Sequence, residues 1–109
     1  MKNYSSHIGI IGGGIAGLTA GCDLRLQGIK TIVFERADEV SEYGAGISIS
    51  PNALRPLQKL GIREAFVDRS FVPEKTVMHY QGKEIRNLET QVVTSSRQKL
   101  IEVIHQRYV

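Results

Sequence analysis

The 109-residue sequence predicts an α/β fold built on a strand–helix–strand unit near its beginning. Ile8–Ile11 is a short apolar run that stops at a glycine cluster, which is typical of a buried strand before a tight turn. Apolar residues then recur at helical spacing over residues 15–27, and a second apolar run at residues 30–35 predicts another buried strand. Two strands joined by one helix within so short a segment are expected to be parallel, with a right-handed crossover.

The middle of the chain predicts a loop, a short strand and a second helix. Residues 41–50 form a glycine-broken loop that leads into a brief alternating strand. Residues 51–61 follow with a proline near the start and a glycine past the end, which favours a helix. The apolar face of this helix consists of Leu54, Leu57 and Leu60.

The last third of the chain predicts a β-hairpin and a closing helix. Residues 76–88 contain two partly alternating runs on either side of a turn at residues 81–83. Residues 95–109 carry an apolar stripe at helical spacing, with Ser95 or Ser96 as the N-cap. The hairpin is therefore expected as an insertion in the α/β fold.

Composition limits the classes of protein and partner. Hydrophobic residues make up 41% and charged residues 23%, as in ordinary soluble domains, and the length allows at most one small domain. The net charge of +3 comes from scattered basic residues, so we expect no nucleic-acid partner. We also expect no membrane partner, because no apolar run approaches the roughly 20 residues that span a bilayer. A lone Cys22 and the lack of a signal peptide predict a cytoplasmic protein without a metal cluster.

The glycine cluster has the spacing of a dinucleotide-binding turn, Gly12-x-Gly14-x-x-Gly17. The first glycine permits the tight turn, the second lets the backbone approach a pyrophosphate, and the third lets the helix lie close to the sheet. The anion would then lie at the helix N-terminus, where unpaired N–H groups favour negative charge. A strand before the motif and a helix after it strengthen this interpretation.

Glu35 ends the second predicted strand at about the interval expected for a carboxylate that binds ribose hydroxyls. This carboxylate would repel a 2′-phosphate, so NADP is disfavoured at this position. NAD and FAD both remain open. The adjacent Arg36 is either a phosphate contact or a solvated surface residue.

Three stretches together, GGGIAGL, VFER and GAGISISPNALRPLQKLGI, resemble the N-terminal part of FAD-dependent aromatic hydroxylases. These are the single-component flavoprotein monooxygenases of the para-hydroxybenzoate and salicylate hydroxylase type. The resemblance implies a Rossmann-like FAD-binding domain, incomplete within residues 1–109, with the β-hairpin as an insertion. It also implies that no second domain is present and that the rest of the FAD-binding domain and the substrate region are missing.

The resemblance implies a set of cofactor contacts. Their positions are Gly12, Gly14, Ile15, Ala16, Gly17, Glu35, Arg36, Gly46, Ile47, Ser48 and Arg97. The glycine turn would hold the FAD pyrophosphate, Glu35 the adenosine ribose, and Arg36 would lie along the adenine half. The loop at residues 44–48 would approach the flavin ring, and Arg97 would contact the ribityl-phosphate portion. Catalytic residues cannot be named from these 109 positions.

The implied activity is hydroxylation of an aromatic or related small organic substrate with NADH or NADPH and O₂. Two alternatives stay open: an FAD-dependent oxidase, reductase or dehydrogenase, and an isolated NAD-binding Rossmann module without catalysis. The 109-residue chain alone is expected to be inactive and to bind FAD weakly or not at all. The open edge of an incomplete sheet predicts a homodimer.

Overall fold

The described part of the chain forms six strands and four helices. The computed structural model describes residues 3–39, 44–89 and 92–109. In chain order the elements are β1 (Ile8–Ile11), α1 (Ile15–Leu26), β2 (Thr31–Phe34), β3 (Gly46–Ile49), α2 (Pro51–Lys59), α3 (Arg63–Val67), β4 (Lys75–Tyr80), β5 (Lys83–Glu89), β6 (Val93–Ser96) and α4 (Arg97–Tyr108).

The βαβ unit is present as predicted. β1 pairs with β2 in parallel, with Ile8 opposite Thr31 and Ile11 opposite Phe34, and α1 forms the crossover between them. The prediction that both strands are buried is wrong, because Ile11 is 85% exposed and Phe34 is 51% exposed. Parallel sheets are normally covered on both faces. Here α1 covers one face through Ile10, while the face of Ile11 and Phe34 has no second layer among the described residues.

β3 pairs with a strand that local patterns did not predict. β6 runs antiparallel to β3, so that Gly46 lies opposite Ser96 and Ile49 opposite Val93. Ser96 is the N-cap of α4, since its hydroxyl accepts a hydrogen bond from the Lys99 N–H at 3.1 Å. Ser96 is also the last residue of β6, and Ser95, the other candidate cap, precedes it within that strand.

The predicted helix at residues 51–61 is confirmed as α2, and the side chains of Leu54, Leu57 and Leu60 are buried. The sequence did not predict α3, which is only five residues long and contributes one buried aromatic ring, Phe66. A single turn with one buried residue is too short to show a helical period.

The hairpin is confirmed. β4 and β5 pair antiparallel around a turn at Gln81 and Gly82, with an irregularity in register between Met78 and His79. Its apolar side chains Met78, Tyr80 and Ile85 are exposed, so the hairpin packs mainly on itself within the described part of the chain.

The hydrophobic core lies where α4 packs against α1, α3 and β6. Tyr108 of α4 occupies the space beside Gly21, where an added Cβ would lie 2.6 Å from the tyrosine ring. The Arg25 guanidinium lies 3.8 Å from the centre of the same ring, and the Tyr108 hydroxyl is within 3.0 Å of the Thr31 hydroxyl. These contacts hold α1 and β2 against the end of α4. Across residues 3–39, 44–89 and 92–109, no helix has both the length and the apolar character needed to cross a bilayer.

Candidate functional site

The turn between β1 and α1 is tight and depends on glycine. The Gly12 N–H donates to the Phe34 carbonyl at 2.8 Å, and Gly12 has φ of +101°, a conformation that L side chains rarely adopt. Gly14 is the N-cap of α1, and its carbonyl accepts the first helical hydrogen bond from Leu18 at 3.0 Å. The backbone therefore passes from β1 into α1 within three residues.

Gly17 is where α1 comes closest to the turn. A Cβ at this position would lie 1.9 Å from the Gly12 carbonyl oxygen and 3.3 Å from Cγ2 of Ile10. The first contact is with backbone, which cannot move aside as a flexible side chain would. Gly17 thus has the close-packing position that the third glycine of the motif predicts.

The N-terminus of α1 is open to a ligand. The first N–H groups of a helix have no acceptor within the helix, and the first turn of α1 carries no acidic side chain. Ile15 and Ala16, in this first turn, line an open cleft of about 930 Å³ between α1 and α2. The helix dipole and the free donors at this end favour an anion.

Glu35 is held against the glycine turn. One carboxylate oxygen accepts a hydrogen bond from the Gly13 N–H at 2.6 Å, and the other accepts from the Ala37 N–H at 3.1 Å. The Ala37 amide, then the Gly13 amide, lower the pKa of Glu35 below its ordinary range. Gly13 was not predicted as a site residue. Its position between Gly12 and Gly14, two glycines of the motif, could have indicated it.

Glu35 is ionised at neutral pH, and its lowered pKa extends the ionised range to more acidic solutions. A depressed pKa in the folded state stabilises the fold above the unfolded-state value, which is about 4.3 for glutamate. That contribution is lost as the pH falls through the lowered pKa. Arg36 lies beside this carboxylate, is exposed, and lowers the same pKa slightly through its charge.

The second group of predicted residues meets at the junction of β3, β6 and α4. The Arg97 N–H donates to the Ala45 carbonyl at 3.0 Å, directly before Gly46 enters β3. Ile47 pairs with Ser95 and Ser48 pairs with Thr94 in the β3–β6 register. The structure therefore brings the loop before β3 next to the first residue of α4.

Ser95 was selected from the sequence only as a candidate helix cap. Its hydroxyl oxygen is buried and has no hydrogen-bond partner within the described residues. A buried hydroxyl without a partner is costly, so such groups commonly meet a ligand or an ordered water. Its position opposite Ile47 places this unsatisfied group within the second group of predicted contacts.

The predicted residues thus form two groups, one at the β1–α1 turn and one at the β3–α4 junction, joined by the packing of α1 on α4. The first offers backbone donors for phosphates and an ionised carboxylate for sugar hydroxyls. The second offers an arginine and an unsatisfied hydroxyl. This donor set fits an extended dinucleotide such as FAD.

Comparisons with known proteins agree with this chemistry. The family model described as "FAD binding domain" matches residues 5–109. The 3-hydroxybenzoate 6-hydroxylase of Klebsiella oxytoca is 41% identical over 83 residues, which cover 74% of this chain and 21% of that enzyme. The 3-amino-4-hydroxybenzoate 2-monooxygenase of Streptomyces cremeus is 47% identical over 65 residues, which cover 60% of this chain and 16% of that enzyme.

The same fold occurs in solved structures. The tetrameric form of 2-methyl-3-hydroxypyridine-5-carboxylic acid oxygenase matches with a TM-score of 0.87 and 26% identity, over 97% of this chain and 29% of that one. The chain spans 16–21% of the length of the two curated relatives named above. The expected fold, the resemblance to FAD-dependent aromatic hydroxylases and FAD as the cofactor are confirmed. This chain belongs to the FAD binding domain family, whose fold it shares with the flavoprotein monooxygenases.

Proposed function

We propose that this chain is the FAD-binding part of a monooxygenase that hydroxylates an aromatic or related small organic substrate with NADH or NADPH and O₂. The observation that carries the FAD-binding part of the proposal is the Glu35 carboxylate held 2.6 Å from the Gly13 amide, beside the open N-terminus of α1. The names of the relatives, a hydroxylase and a monooxygenase, favour this activity over an oxidase, a reductase or an NAD-binding module.

In this proposal the α1 end of the chain binds the ADP half of FAD. The N–H groups between Gly14 and Gly17 point at the pyrophosphate, and the positive end of the helix dipole stabilises its charge. Glu35 accepts hydrogen bonds from the adenosine ribose and keeps the hydrogen bond that the Gly13 N–H donates to it. Both are possible because each carboxylate oxygen accepts more than one hydrogen bond. Arg36 lies along the adenine.

The β3–α4 junction binds the flavin half in this proposal. Arg97 at the first position of α4 contacts the ribityl-phosphate portion, and the backbone of Gly46, Ile47 and Ser48 approaches the ring. When bound, FAD supplies the redox chemistry, and the chain supplies binding, orientation and exclusion of water. No residue of the described chain is assigned a proton-transfer step.

A nucleotide titration followed by ¹H–¹⁵N NMR of the 109-residue chain tests the proposal. FAD and ADP are expected to shift the amide signals of residues 12–17 in a saturable way, with weak dissociation constants of ~1 mM. NADP⁺ is expected to bind more weakly than ADP, because its 2′-phosphate would face the Glu35 carboxylate.

Two outcomes of this titration would contradict the proposal. If ADP shifts amides elsewhere in the chain and none between residues 12 and 17, the glycine turn is not the nucleotide site. If NADP⁺ binds as tightly as ADP, Glu35 does not lie at the ribose. Micromolar binding of FAD would instead show that the chain is a self-sufficient module and would overturn the expectation of weak binding.

We also propose that the chain forms a homodimer through the β1–β2 sheet. Within the described residues the outer edges of this two-stranded sheet have no pairing strand, and Ile11 and Phe34 expose apolar surface on one face. Sedimentation velocity of the purified chain is expected to show a dimer that Ile11→Lys weakens, since a charge there would be buried in the contact. A monomer at every concentration would contradict this.

We also propose that the protein is cytoplasmic. Cys22 is the only cysteine, and its side chain is buried in the core. Burial raises the pKa of the Cys22 thiol, so the reactive thiolate is disfavoured. A single protected thiol suits a reducing compartment.

A further inference from the structure

A second cleft, on the other side of α2, carries its own charge pattern. It has a volume of about 410 Å³, within the range of about 300–1,000 Å³ typical of small-molecule sites. It lies between α2, α3 and the segment around Val72, and none of its lining residues belongs to the two groups of predicted cofactor contacts.

The floor of this cleft is apolar and firmly placed. Leu54 of α2 and Val93 of β6 are buried core residues, and Val67 of α3 packs against the core beside them. A floor made by three different elements cannot rearrange without disturbing the core. It therefore offers a stable apolar surface on which the body of a small ligand can lie.

Two arginines line the cleft. Arg55 comes from α2 and Arg63 from α3, and both are exposed. Among the described residues neither guanidinium makes a hydrogen bond or an ion pair, and the lining includes no aspartate or glutamate. Glu64, next to Arg63 in sequence, lines a neighbouring depression together with Arg63, but the two side chains make no ion pair. Two cations without counter-ions over an apolar floor favour an anion that has an apolar body.

We infer that this cleft binds a small organic carboxylate, with its apolar body on Leu54, Val67 and Val93 and its carboxylate between Arg55 and Arg63. The planar guanidinium group matches a carboxylate with two parallel hydrogen bonds. Inorganic phosphate would meet the same arginines but would leave the floor unused. Arg55 also lines the 930 Å³ cleft between α1 and α2, whereas Arg63 and the apolar floor do not. Arg63 and the amides of the floor therefore distinguish this site from the proposed nucleotide site.

The test is an NMR titration of the ¹⁵N-labelled chain with benzoate as the probe. Benzoate is expected to produce saturable shifts at the amides of Leu54, Val67 and Val93. Benzamide has the same ring without the charge, and acetate has the charge without the ring. Both are expected to bind at least about tenfold more weakly, because each lacks one of the two interactions.

The variants Arg55→Gln and Arg63→Gln are each expected to weaken benzoate binding by about tenfold. Both positions are exposed, so the spectra should retain native dispersion and show that the variants are folded. Arg86→Gln, which removes an exposed arginine from β5, is the matched control and should leave binding unchanged.

Three results would overturn the inference. Equal binding of benzamide and benzoate would show an apolar cleft without selectivity for anions. Unchanged affinity in both arginine variants would show that the guanidinium groups take no part. Benzoate shifts confined to residues 12–17 would place the probe at the nucleotide turn instead.

Discussion

The variant Gly17→Ala is expected to destabilise the chain by about 2–3 kcal/mol, the cost of inserting an atom into a closely packed contact. On helix propensity alone the change would stabilise α1 by about 1 kcal/mol, because alanine is the better helix former. The added Cβ would lie 1.9 Å from the Gly12 carbonyl oxygen, so α1 must move away from β1. The steric effect outweighs the propensity, and we expect the melting temperature to fall by roughly 10 °C or more.

Urea and thermal unfolding followed by circular dichroism measure this loss. Gly9→Ala is the matched control, because a Cβ there would make an ordinary 3.6 Å contact with the Phe34 ring. We expect that control to change stability by less than about 0.5 kcal/mol. Equal stability of the two variants would mean that α1 packs less closely on the β1–α1 turn than it does in the structure.

The variant Gly14→Val is expected to abolish detectable binding of FAD and ADP. Gly14 is the N-cap of α1 with φ of −79°, which a valine can adopt without strain. The side chain would stand between the backbone and the pyrophosphate, at the position where the motif requires a close approach. Binding is therefore lost for a reason separate from folding.

The nucleotide titration described above measures the effect, and circular dichroism reports the fold. Valine is a poorer N-cap than glycine, so a small loss of stability is expected. Gly14→Ser is the second variant, since serine is a preferred cap and its hydroxyl competes for the same N–H groups. If both variants bind ADP like the unmodified chain, Gly14 is only a packing residue.

Much of the fold could be predicted because it depends on short-range patterns. The run at Ile8–Ile11, the helical spacing after Gly14 and the turn at Gln81 and Gly82 each report a local conformation, and β1, α1 and the hairpin follow from them. The sequence also predicted the ligand class, since the glycine spacing and Glu35 together favour a ligand with phosphates and a sugar.

Features that depend on contacts between distant residues could be seen only in the folded chain. The sequence predicted a short strand before α2 but not β6, because the pairing of Gly46 with Ser96 that defines β6 and brings Arg97 to the loop before β3 joins distant segments. Burial was also beyond local patterns, because Ile11 is apolar but nothing among the described residues covers it. The hydrogen bond from the Gly13 N–H to the Glu35 carboxylate likewise joins residues that are distant in the sequence. Sequence patterns report the conformation of neighbouring residues, whereas pairing, burial and the geometry of a site arise from contacts between segments far apart in the chain.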